Sequence, residues 1–159
     1  MGGAKQAAVL GLFVLVVFAA AGLGSLFTRP AVPGWYASLA KPSFTPPNRV
    51  FGPVWTLLYL SMAVSAWLVW RRGGFGAHGA AFALFAVQLL LNASWSPVFF
   101  GAHRIGTAFV VIVLMWAAIL VTLVAFWRVS RPAGALLVPY QLWVTFAGVL
   151  NFELWRLNR

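Results

Sequence analysis

Cysteine and aspartate are absent from this chain, and glutamate occurs once, at Glu153. Without thiols there are no disulfides, no thiolate nucleophile and no Cys-based metal site. One carboxylate leaves no pair for acid–base catalysis and no relay of acidic groups for a proton-coupled pump. The two histidines, His78 and His103, bracket one apolar run. On a helix rising about 1.5 Å per residue they are too far apart to share a metal ion. There is no glycine-rich phosphate loop and no polar stretch long enough for a soluble domain. No conventional catalytic constellation exists, so no catalytic or metal-binding residue is assigned, and none of this composition demands an obligatory cofactor.

What is present is hydrocarbon. Residues are 63% hydrophobic and only 8% charged, with a mean hydropathy of +0.94. A soluble core in a chain of 159 residues cannot hide that much apolar surface, so the class is an integral membrane protein. The net charge of +10 would point to nucleic acid in a soluble protein. Here Arg71, Arg72, Arg104, Arg128, Arg131, Arg156 and Arg159 stand at the ends of apolar runs, where they snorkel to lipid headgroups. Membrane lipids, and no nucleic acid, are the expected surroundings.

Breaks in the hydropathy give five spans: residues 7–27, 47–70, 79–101, 105–127 and 134–155. The expected fold is an all-α bundle of five transmembrane helices forming a single domain over residues 1–159. Lys5 and the alanines at 19–21 imitate a secretory signal, yet the first apolar run is too long for one and reads as a mature helix. Ala20 with Gly24, or Ala21 with Ser25, permits a close helix contact or simply faces lipid. Residues 28–46 form a long connection, because their prolines should end any helix there. Pro46, Pro47 or Pro53 suits the first turn of the second span. Pro97 should kink the third, freeing a carbonyl for Ser94 or a neighbouring helix. The fourth, with only Thr107 and Thr122 as polar members, is expected to face lipid, and Arg128–Arg131 with Pro132 to form the turn after it. Glu153 and Arg156, three apart, form an interfacial ion pair. Lys and Arg number five on the amino-terminal side and six on the other, so charge bias does not orient the bundle.

Three spans carry mixed aromatic and polar stripes at helical spacing: Trp55, Tyr59, Met62 and Ala66; Gln88, Asn92, Trp95 and Phe99; Tyr140, Trp143, Ala147 and Asn151. Aromatic stripes alone are more often packing or an interfacial belt. The amides shift the balance, since Gln88 and Asn92 facing lipid would lose about 1 kcal/mol or more in unmet hydrogen bonds. They must face the interior. A cavity between these stripes would accept a large, flat, mostly apolar molecule stacked on indoles.

The motifs W-Y-x-x-L-x-K-P-x-x-x-P-P (Trp35–Pro47), P-V-W-x-x-L-Y (Pro53–Tyr59), Q-x-x-x-N-x-x-W-x-P-x-F-F (Gln88–Phe100) and V-P-Y-x-x-W-x-x-F-A-x-x-L-N (Val138–Asn151) run through the chain in order. In these the chain resembles the TspO/MBR family, the tryptophan-rich sensory proteins and mitochondrial translocator (peripheral benzodiazepine receptor) proteins. The resemblance implies a five-helix bundle, often a homodimer, that binds porphyrins such as protoporphyrin IX and haem, and in some members sterols and benzodiazepine-like drugs. It places Tyr36 and Pro47 in a lid made by the 28–46 connection. Trp55, Tyr59, Asn92, Trp95, Trp143, Ala147 and Leu150 then line the pocket, with Gln88 beside them. Animal members carry a sterol-recognition pattern centred on a tyrosine near the end of the fifth helix, but here Phe152 lacks the hydroxyl, and that motif is weak even when complete.

The expected function is a membrane receptor or regulator of porphyrins, with Lys41, Arg49 or Arg29 meeting the propionates. Light-dependent porphyrin degradation by an enzyme of unconventional kind and transport of tetrapyrroles or sterol-like amphiphiles are the alternatives. Small residues Gly79 and Ala83 on the third span suit a dimer contact. The location is a multi-pass membrane protein, in the cell membrane if the source is bacterial.

Overall fold

The computed structural model describes residues 2–159. Helix α1 spans Gly3–Ala31 and continues through a π-helical turn, Val32–Tyr36. Helix α2 covers Asn48–Trp70, and a single turn, α3, covers Gly74–Ala77. Helix α4, Gly79–Ser96, runs on into a second π turn, Pro97–Gly101. Helices α5 and α6 span Ile105–Val129 and Arg131–Leu157. Five helical stretches are long and apolar enough to cross a membrane.

The first span differs from its expected end at residue 27. It continues through Pro30 and Pro33 to Tyr36, so the connection shrinks to residues 39–47. A proline removes one N–H, but the bonds around it survive: the Val32 amide still donates to the Thr28 carbonyl. At Pro33 the helix widens into the π turn, which relieves the clash of a proline ring with the carbonyl four residues back. Pro97 acts alike, since α4 passes into a π turn there. Ser94 donates to the Leu91 carbonyl.

Helix α2 starts one residue late, with Pro47 as its N-cap and Pro53 inside it. The turn after it holds Gly73 (φ 153°) and Gly74 (φ 72°), positive angles that cost glycine little. The expected turn at 128–132 is a single residue. Ser130 alone joins α5 to α6, with Pro132 in the first turn of α6, where a missing N–H is harmless. This tight corner brings Gly134 against Trp127, and a Cβ there would sit 2.7–2.8 Å from Trp127 atoms, backbone included.

Each long helix packs on two others, closing a ring in the order α1, α2, α6, α5, α4. The ring is apolar outside and partly polar inside. Leu15, Leu26, Leu57, Leu90 and Leu142 point outward, while Ser65, Gln88, Asn92, Thr122, Gln141 and Asn151 are buried. That inversion suits a hydrocarbon solvent. Helix α5 faces lipid on one side only: Val110, Val113 and Val121 are exposed, whereas Ile112, Met115, Ile119 and Phe126 are buried against its neighbours. Glu153 and Arg156 form the expected ion pair at 2.6 Å.

The two ends of the bundle are filled differently. Toward the amino terminus, Met62, Ala63, Ala66, Val69, Ile119, Phe126 and Leu137 are almost fully buried, and Phe85 stacks on Phe126 at 5.8 Å. Toward the 39–47 connection the helices part around a cavity.

A cavity with an aromatic wall and a hydrogen-bonded floor

The cavity encloses about 590 Å³ and takes walls from α1, α2, α4, α5 and α6. Its floor is a directional chain of hydrogen bonds. The Tyr59 hydroxyl donates to Asn92 Oδ1 at 2.6 Å, and Asn92 Nδ2 donates to the Tyr140 hydroxyl at 2.9 Å. Tyr140 in turn donates to Gln88 Oε1 at 3.0 Å, and Gln88 Nε2 reaches Met62 Sδ at 3.9 Å. Each polar side chain of the floor thereby has a partner, the condition for keeping amides inside an apolar bundle.

The indoles stand above this floor. Trp55 lies 5.6 Å from Tyr59 and 6.2 Å from Tyr140 between ring centroids. Trp95 stacks on Phe99 at 4.9 Å and donates through Nε1 to Asn151 Oδ1 at 3.0 Å. Asn151 then donates to the Ile105 carbonyl, so Trp95 is held by a bond running from α4 to α6 and on to α5. Trp143 packs edge-on against Phe51 at 5.9 Å, and its Nε1 is buried without a partner. Of the three indoles it alone has a nitrogen that is both buried and without a partner.

Of the residues expected at the site, Tyr36, Trp55, Tyr59, Asn92, Trp95, Trp143, Ala147 and Leu150 line the cavity. Gln88 does not. It lies one turn deeper on the same face, 1% exposed and committed to the floor. Pro47 does not either, because it is the exposed cap of α2. No residue of the 39–47 connection lines the cavity. Tyr36 reaches it from the π turn of α1, and the segment expected to act as lid is instead fastened to α6. Asn158 grips the Ala40 backbone at both ends, its Oδ1 accepting from the amide and its Nδ2 donating to the carbonyl, each at 2.9 Å. Phe44 meets Phe146 at 6.3 Å.

Of the three cations expected near an anionic ligand, Arg29 alone lines the cavity. Lys41 is occupied, its Nζ donating to the carbonyls of Ala37 and Leu39 and lying 4.8 Å above the Tyr36 ring. Arg29 belongs to a wall that the sequence reading missed, with Phe18, Ser25 and Thr28 of α1. A signal existed in Ser25, Thr28 and Arg29 at spacings of three and four, but it fell across the expected helix end.

A ring of five helices long and apolar enough to cross a membrane, enclosing an indole-walled, amide-floored cavity toward one end, defines an integral multi-pass membrane protein. The chain belongs to the TspO/MBR family, which it matches over residues 13–156. It is 44% identical over 138 residues to Protein CrtK of Rhodobacter capsulatus, covering 85% of this chain and 83% of that one. It is 41% identical over 158 residues to the tryptophan-rich protein TspO of Chlorobaculum tepidum, covering 97% and 98%. It is 43% identical over 138 residues to the human translocator protein, covering 86% and 82%.

Proposed function

We propose that this protein is a membrane receptor or regulator that binds a tetrapyrrole, protoporphyrin IX or haem, in the half-bundle cavity. The observation that carries the reading is the cavity itself: about 590 Å³, within the usual range for small-molecule sites, walled by Trp55, Trp95 and Trp143 over an amide floor. Indole faces suit the flat faces of a macrocycle. No histidine lines the cavity, so recognition rests on the ring system and its substituents rather than on an axial imidazole.

The floor favours binding over passage. A molecule crossing the bilayer through this bundle would have to break the Tyr59–Asn92–Tyr140–Gln88 chain and then part the aromatic packing beneath it. Titration of protoporphyrin IX into the protein in lipid nanodiscs, read by tryptophan fluorescence, tests the proposal. Saturable quenching weakened in Trp55→Phe/Trp143→Phe is expected. Absence of saturable binding overturns the reading, and unchanged affinity in the double variant removes those two indoles from the site.

A further inference from the structure

The cavity opens on one side of the bundle, between α1 and α2. No lining residue beyond α1 and α2 is exposed: Asn92, Phe99, Met115, Leu150, Asn151 and Leu154 are buried, and Trp95 and Trp143 are partly so. Every exposed lining residue lies on α1 or α2, namely Gly22, Arg29, Asn48, Gly52 and Thr56. From Arg29 down to Gly22 the slot extends about 10 Å along α1, at about 1.5 Å per residue, from headgroup depth into the hydrocarbon. Two of its edge residues are glycines, and a Cβ added at Gly22 or Gly52 would meet nothing within 4 Å. The water-facing end is shut instead. Trp35 packs on Phe99, Phe100 and His103, Tyr36 on Phe99 and Phe100, and Asn158 pins the connection above.

At the outer edge of the slot stands Arg29, in the last turn of α1. Its guanidinium has no hydrogen-bond or ion-pair partner among the described residues. An unpaired arginine at the mouth of an apolar slot matches a carboxylate carried on a hydrophobic body. We infer that the slot between α1 and α2 is the portal through which ligand reaches the cavity sideways from the bilayer, and that it selects anionic amphiphiles by holding their carboxylate at Arg29. The portal stands on the geometry alone. The carboxylate partner rests on the tetrapyrrole reading, since it assigns the propionates to Arg29.

Because the chain has no cysteine, one thiol can report on the portal without any ligand. Met115 is buried on the α5 wall of the cavity, across the ring from α1 and α2. In proteoliposomes, Met115→Cys should react with an uncharged, bilayer-soluble maleimide and resist a sulfonated one. Adding Gly52→Phe, or Gly22→Leu should the first variant fold poorly, should slow the uncharged reagent about tenfold or more, as a modest added barrier does. Asn158→Ala, which frees the water-side connection, should leave that rate unchanged. Equal labelling by both reagents, or a rate indifferent to the glycine substitutions, overturns the portal. For the carboxylate, Arg29→Gln should weaken binding of protoporphyrin IX about tenfold, the effect of one charge-assisted bond, and spare its dimethyl ester, while Lys41→Gln should change neither. Equal loss for acid and ester overturns the role of Arg29. If the unmodified protein takes up neither, the tetrapyrrole reading falls and the carboxylate assignment with it, while the labelling result still decides the portal.

Discussion

Replacing Asn92 with leucine should expose how the floor of the cavity is held. The substitution keeps the number and branching of side-chain heavy atoms and removes two hydrogen bonds, one accepted from Tyr59 and one donated to Tyr140. Interhelical bonds of this kind average about 0.6 kcal/mol and reach about 1.7 kcal/mol within membranes. Tyr140 keeps its bond to Gln88, so only the Tyr59 hydroxyl is orphaned. The expected cost is about 1–2.5 kcal/mol, the upper end reflecting that stranded donor. Tyr59→Phe alone loses a single bond and should cost about 0.5–1 kcal/mol. Combined, the two should cost little more than Asn92→Leu alone, because the second change removes the group that the first left unmet. Reversible unfolding in mixed micelles of the four proteins closes the cycle. Additivity within about 0.3 kcal/mol would refute a coupled floor and leave two independent packing changes.

Trp143→Phe should shift stability by less than about 0.5 kcal/mol, since its Nε1 bonds to nothing, while Trp95→Phe should cost about 1 kcal/mol through its bond to Asn151; the same micelle assay separates them. Gly134→Ala should destabilise by about 1–3 kcal/mol because its Cβ would collide with Trp127 backbone and side chain. Gly148→Ala, with open space around it, should be neutral or slightly stabilising, so equal effects would contradict the tight α5–α6 corner. Asn158→Ala should deprotect the Ala40 amide in hydrogen exchange and leave Tyr59 and Asn92 protected, because the clamp joins the connection to α6 and not to the floor. Pro47→Gly should leave ligand affinity nearly unchanged, since the residue caps α2 outside the cavity.

The five spans and the stripes on α2, α4 and α6 were legible because each rests on a local rule. Twenty or so apolar residues must be helical in hydrocarbon, and an amide among them must turn inward. Gln88 and Asn92 did so. Depth was less legible than direction: Gln88 and Asn92 share one face, yet a single turn of helix leaves Asn92 lining the cavity and Gln88 outside it. Spacing assigns a side to a residue, but only the packing of the other helices decides where the interior is filled and where it is empty.

The wall on α1 went unread for a different reason. Two prolines at positions 30 and 33 look like terminators, because proline lacks an N–H and strains an α turn. Against the packed bundle the alternative to a strained helix is an unwound backbone with several unmet polar groups, each more costly than one missing bond. The helix therefore bends its rules, widens into a π turn and carries on, and Thr28, Arg29, Val32 and Tyr36 become cavity wall instead of loop. Pro97 repeats the device on α4, where its π turn delivers Phe99 and Phe100 to the same cavity. The prolines that seemed to mark the edges of the bundle thus stand where α1 and α4 widen into the π turns that line its upper half. Reverting both turns to regular α-helix, with Pro33→Ala and Pro97→Ala together, should raise helix stability and rotate Tyr36 and Phe99 away from each other. Loss of their ring contact, now 6.3 Å between centroids, should be visible as altered aromatic circular dichroism, and an unchanged spectrum would show that the π turns are imposed by packing and not by proline.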